Sequence, residues 1–160
     1  MIAYDKQAWR TPPLLFQELE ARYARGGRFD LDAFASPHNA LCENFYTEAD
    51  NSLNKEWFGS VFSNPPYRDI EPVIIKAQTE IDIGNCLVVV HVLPARTGQP
   101  WFRMAMECAT VKFIRGRVRF DPPHPDAPIG SPTEDSIVVI HEQPIHARDF
   151  NTKRPGRPTK

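Results

Sequence analysis

Four consecutive residues, Asn64-Pro65-Pro66-Tyr67, bring together the groups needed to hold an amine while it reacts. The two prolines remove two N–H donors and fix two φ angles, so the loop is stiff and its carbonyls can only accept. Such a carbonyl beside the Asn64 side-chain oxygen suits an NH₂ group that donates two hydrogen bonds. Holding both N–H bonds draws the nitrogen lone pair out of conjugation and aims it at an electrophile. Tyr67 adds a flat face on which an extruded base can stack, as chemistry on a base inside a duplex requires. The bland alternative is a proline-stiffened turn closed by a packed tyrosine.

The elements around the loop favour the chemical reading. Gly59 to Ser63 reads as a short strand, and open α/β sheets place ligands outside the carboxyl ends of their strands. Cys86 to Leu93 is apolar without alternation, the pattern of a strand buried on both faces in a parallel sheet. Between them Asp69 to Asp82 is predicted helical, with Asp69 and Glu71 at its positive start and Gly84 closing it. Thr11-Pro12 predicts a helix start, a hydroxyl cap followed by proline, and Gly26-Gly27 stops that helix. Arg28 to Ala33 reads as a further short strand, and residues 34–59 as irregular chain. Pro100 to Ala109 is a third helix, Val111 to Phe120 a bent strand or two short ones, and Ser136 to His141 the last strand. Strands alternating with helices predict an α/β sheet. The expected organisation is one domain over residues 1–141 and a polar, basic tail over 142–160.

The bulk composition excludes several classes. A chain of 160 residues suffices for one sizeable core. A formal net charge of −1 means that any nucleic-acid surface must be local. The longest apolar stretch is too short to span a bilayer, and no signal-peptide pattern is present, so no membrane role is expected. Three cysteines without CxxC spacing fit reduced thiols in a cytoplasmic protein and leave too few clustered ligands for a metal site.

Two basic segments supply the local charge. Arg115, Arg117 and Arg119 alternate, which on a strand puts them on one face, with Ile114, Val118 and Phe120 opposite. Lys112 and Arg103 could extend this ladder. It reads either as a contact to DNA phosphates or as a solvated sheet face. The tail from Lys153 to Lys160 centres on Gly156-Arg157-Pro158 and resembles an AT-hook, whose arginine enters the minor groove. The alternative is a solubilising end. His91 reads as a core histidine, and Cys42, Cys86 and Cys108 as small buried residues.

Asn-Pro-Pro-Tyr is a form of the [DNS]-Pro-Pro-[YFW] signature of S-adenosylmethionine-dependent amino-methyltransferases, which act on adenine, cytosine or glutamine amines. Around it stand Trp9-Arg-Thr-Pro12, Leu15-Phe16, Leu31-Asp-Ala-Phe-Ala35, Asn39-Ala-Leu-Cys42, Trp57, Leu93-Pro-Ala-Arg-Thr97, Trp101-Phe102 and Phe113-Ile-Arg-Gly-Arg117. In this order they resemble the compact phage-type, Dam-like DNA N-6-adenine methyltransferases. The resemblance implies a trimmed, Rossmann-like methyltransferase sheet with helices on both faces, S-adenosylmethionine as cofactor and double-stranded DNA as partner. It implies that Asn64, Pro65, Pro66 and Tyr67 hold the target adenine. Thr11, Pro12, Asp32, Ala33 and Asn64 would lie at the cofactor, with Asp50 or, equally, Glu48 reaching its adenosine part. Arg96, Arg115, Arg117, Arg119 and Arg157 would contact DNA. A monomer or weak homodimer in the cytoplasm of a bacterial host is expected for a phage or prophage product. Two alternatives remain: transfer to cytosine or to a protein glutamine, and a non-catalytic DNA-binding protein on the same scaffold. Asp32-Ala-Phe-Ala-Ser36 has no glycine where most methyltransferases carry a Gly-rich loop, although the compact family shows this Asp-x-x-Ala form.

Overall fold

The computed structural model describes residues 9–122, 125–126 and 134–144. Its sheet grows outward from one strand, β4 (Cys86–Pro94), in which every residue but Leu87 is buried. Each fully covered Val or Leu there contributes about 1.5–3 kcal/mol, which makes this strand the anchor of the core. On one side β4 pairs in parallel with β3 (Gly59–Ser63), which pairs in parallel with β1 (Leu31–Asp32), and that with β2 (Asn44–Phe45). On the other side β6 (Ser136–Glu142) runs antiparallel to β4 and carries β5 (Thr110–Phe113), also antiparallel, at the edge. The order is β2-β1-β3-β4-β6-β5. The surroundings of β4 are thus mixed, where its apolar run predicted parallel neighbours. Such a run reports that both faces are covered and says nothing about the direction of adjacent strands.

Helices supply those covers, as the fold expectation required. Phe16 and Leu19 of α1 (Pro13–Tyr23) pack with Phe29 on Phe62, Val90 and Val138. The opposite face is covered by α2 (Glu71–Asp82) through Val73 and Ala77, and by α3 (Pro100–Cys108) through Phe102 and Ala105.

Three local expectations need correction. Thr11 does not cap α1; Pro12 holds that position and has no side-chain acceptor to make a cap bond, while the Thr11 hydroxyl accepts from the Asn64 amide. The first strand covers Leu31–Asp32 only. Upstream, the Asp30 N–H bonds to the Ser60 carbonyl at 2.7 Å, but the Asp30 carboxylate takes the Ser60 N–H at 2.8 Å, replacing a backbone rung. Gly59, at φ +67°, makes this possible, since a Cβ there would collide with the Asp30 carboxylate. Finally, Arg115, Arg117 and Arg119 do not lie on a strand. β5 ends at Phe113, and Gly116 at φ +76° turns the chain away. The returning segment then pairs through Asp121 with Arg10, in two backbone bonds of 2.9 and 2.8 Å.

Candidate active site

β1 sits between β2 and β3, so the chain leaves it in one direction and comes back on the other side. That reversal opens a crevice outside the carboxyl ends of the two strands, the usual ligand position in an open α/β sheet. The crevice is a cleft of about 850 Å³ whose wall includes Asp32, Phe34, Glu48, Phe62, Asn64 and Pro66. This size falls in the range of small-molecule and cofactor sites, about 300–1,000 Å³.

Asn64 follows the last residue of β3, and its orientation is set from far along the chain. Its amide Nδ2 donates to the Thr11 hydroxyl at 3.0 Å. The Asn64 oxygen, the acceptor, is thereby turned away from Thr11. Thr11 itself is buried and lines the same cleft. Pro65 is buried and Pro66 is half-buried against the cleft. Tyr67 is not among the cleft-lining residues. Its ring meets Phe120 edge-on, with centroids 6.5 Å apart, and the Arg96 guanidinium lies 5.8 Å from it. The ring expected to receive a base is thus also held by contacts within the chain. Burial pushes the Tyr67 phenol above its ordinary value.

At the end of β1, Asp32 is 2% exposed. Its Oδ2 accepts the Leu41 N–H at 3.1 Å, while its Oδ1 is buried with no hydrogen-bond partner among the described residues. Burial pushes its pKa up to about 7, against the opposing pull of the backbone N–H groups of Leu41 and Phe34. A buried carboxylate left half-satisfied is costly and fits a ligand that brings a positive charge or an N–H donor. Ala33, next to it, is core rather than wall, and Pro12 is likewise absent from the lining.

Asp50 and Glu48, equal on sequence, separate here. Asp50 closes a capping box on the 3-10 turn Glu48–Asp50, taking the Thr47 N–H at 2.7 Å and the Thr47 hydroxyl at 3.0 Å. It does not line the cleft; Glu48 does, 3.8 Å from Arg68. Phe34 and Arg68 are wall residues to which the sequence assigned no role. Phe34 is held edge-on by the fully buried Trp57 at 5.9 Å, whose indole N–H is fixed by the Ser52 carbonyl and hydroxyl. Arg68 had one signal, its place directly after the tetrapeptide.

The expected DNA contacts fare differently from one another. Arg115 and Arg119 are exposed, and Arg117 pairs with Asp135 at 3.2 Å. Arg96 is occupied by Glu134 and the Tyr67 carbonyl. Arg157 lies outside the described residues. Among the described residues no cluster of His, Cys, Asp or Glu could hold a metal ion, and no helix is long and apolar enough to cross a membrane. His91 is fully buried beside His141, their rings 5.1 Å apart, and burial holds it well below the ordinary histidine value.

Comparison with known proteins identifies the family. The sequence model of the family described as DNA N-6-adenine-methyltransferase (Dam) matches residues 2–154. A protein of Haemophilus phage HP1 named DNA N-6-adenine-methyltransferase is 33% identical over 159 residues, covering 86% of this chain and 90% of its own length. A protein of the same name from Escherichia phage T1 is 36% identical over 107 residues, 65% of this chain and 42% of its own length. The chain thus spans less than half of the phage T1 protein and most of the phage HP1 protein. With a match running nearly from end to end, the chain belongs to the DNA N-6-adenine-methyltransferase (Dam) family.

Proposed function

We propose that this chain transfers a methyl group from S-adenosylmethionine to the 6-amino group of an adenine in double-stranded DNA, in the cytoplasm of a bacterial host. The observation that carries this reading is the pairing, in one cleft, of an amide oriented by Thr11 with the half-satisfied carboxylate of Asp32. The family's named relatives support the choice of adenine.

The residues fit the cofactor. Asp32 Oδ1 supplies an acceptor with no partner among the described residues, suited to the positively charged methionine end of S-adenosylmethionine, and Glu48 can accept from the ribose hydroxyls. Phe34 offers an apolar wall for a purine ring. When bound, S-adenosylmethionine supplies a methyl group already activated on a sulfonium. What is left to the chain itself is to position and desolvate the amine. The Asn64 oxygen and the Pro65 carbonyl accept the two N–H bonds, and the leaving proton goes to water. No strong base is required of the chain, and buried His91 is not available as one. The exposed Arg115 and Arg119 supply cationic charge for DNA phosphates, in the segment that ends at Phe120, whose ring meets Tyr67 edge-on.

Asn64→Ala tests the assignment. The variant should bind S-adenosylmethionine in calorimetry with affinity within about threefold, while methyl transfer falls about 10²–10³-fold, as for loss of one preorganised hydrogen-bonding group. Wild-type transfer by the variant contradicts the role given to Asn64.

A further inference from the structure

The acceptor loop is pinned at both ends. Thr11 holds Asn64 at one end, and the other is held by Arg96, a residue whose charge suggests a quite different use. Pro94 of β4 pairs with Ser136 of β6, and the ladder continues beyond the strands, with the Ala95 N–H on the Asp135 carbonyl at 2.8 Å. One step further, this register sets Arg96 opposite Glu134. The guanidinium Nε and Nη2 donate to the two carboxylate oxygens at 2.6 and 2.9 Å. Its remaining arm, Nη1, donates to the Tyr67 carbonyl at 3.2 Å, and the guanidinium lies 5.8 Å from the Tyr67 ring.

We propose that Arg96 and Glu134 form a clamp that positions Tyr67, and through it the amine-holding carbonyls of the loop, instead of contacting DNA phosphate. The proposal rests on the reading of Asn64–Tyr67 as the base-holding loop. Three directions of the guanidinium are occupied, and its charge is matched by a bidentate carboxylate, the arrangement in which arginine is most selective. Lysine cannot reproduce it, having one charged nitrogen where the fork presents three donating atoms to two partners. Among the described residues the Glu134 carboxylate pairs with Arg96 alone, although it is 41% exposed and free to turn into water. Displacement of reacting groups by about 1 Å can cost 10²-fold in rate, so a loop released at Tyr67 would bind DNA and transfer poorly.

Arg96→Lys and Glu134→Gln discriminate the two roles, because the clamp needs both partners and a phosphate contact does not. In the uncomplexed protein, NMR order parameters of the Tyr67 and Arg68 amides should fall from the rigid-backbone value of about 0.85 to below about 0.6 in both variants. In methyl transfer to unmethylated DNA, kcat should fall about 10–100-fold in both, with KM for DNA within about threefold and the salt dependence of DNA affinity unchanged. Unchanged order parameters in either variant overturn the clamp. So does a phosphate pattern: near-normal Arg96→Lys, tighter DNA binding by Glu134→Gln, and a salt slope lowered by about one in Arg96→Gln. Should the wild-type chain methylate no DNA while both variants loosen the loop, the clamp stands and the proposed activity falls.

Discussion

Replacing Asp32 by asparagine should make the ligand-free protein more stable at pH 8 while removing its cofactor affinity. The carboxyl group has a pKa of about 7 in the folded protein against 3.8 for an ordinary aspartate, and burial is the main cause. A raised carboxyl pKa is a folding penalty that is absent below the unfolded value and complete above the folded one. Stability should therefore decline as pH rises from about 4 to 7. At 1.36 kcal/mol per unit, a shift of about three units amounts to about 4 kcal/mol. Asparagine keeps an acceptor for the Leu41 N–H but puts an NH₂ where Oδ1 has no partner. That orphaned donor costs about 1–3 kcal/mol at any pH, leaving a net gain of about 1–3 kcal/mol at pH 8 and a net loss of about 1–3 kcal/mol near pH 4. Urea unfolding of both proteins between pH 4 and 8 reads the difference directly, since all other titrating groups cancel. Addition of S-adenosylmethionine should then stabilise the wild type and leave the variant unchanged. A variant less stable than the wild type at pH 8, or a difference between the two proteins that does not change with pH, refutes this reasoning.

Three further outcomes follow from the geometry. Thr11→Val removes the hydroxyl that orients the Asn64 amide and should lower kcat about tenfold with KM for DNA little changed, measured by steady-state methyl transfer; an unchanged kcat would leave Thr11 without a part in positioning. Burial lowers His91 well below 6.5 and His141 from 6.5 to about 4, so the folded state resists protonation and loses stability as pH falls below about 6.5. For His141 this is worth about 3 kcal/mol by pH 4, and the gap in unfolding free energy between the Asp32→Asn protein and the same protein carrying His141→Leu should change by about that much between pH 7 and 4, a constant gap refuting it. Arg115→Gln and Arg119→Gln should each weaken DNA binding and lower the slope of log affinity against log salt by about one, as titrations at several salt concentrations would show.

What the sequence disclosed was local. The tetrapeptide could be placed at a strand's carboxyl end because the apolar run Val61-Phe62-Ser63 abuts it, and β4 announced its burial through a valine-rich run without polar alternation. Contacts between distant segments left no such trace. The Thr11–Asn64 bond joins positions 53 apart in the chain, and Thr11 looked like a helix cap because the same hydroxyl could serve either role. Glu48 and Asp50 could be told apart only once Asp50 was seen closing its own turn. The arginine alternation at 115–119 predicted a strand, but Gly116 in the left-handed region ends the pairing, and the exposed arginines come from an irregular segment. Arg96 carried a charge suited to phosphate, yet its partner Glu134 lies 38 positions away and is delivered by the antiparallel register of β4 and β6.

The central claim is that this loop holds the amine of an adenine. Its most direct test is to incubate the protein with unmethylated duplex DNA and S-adenosylmethionine carrying a deuterated methyl group, then digest the DNA and weigh the nucleosides. The label is predicted on the 6-amino nitrogen of deoxyadenosine, and its loss in Asn64→Ala. Label on cytosine, or on a protein glutamine with none in DNA, would contradict the claim.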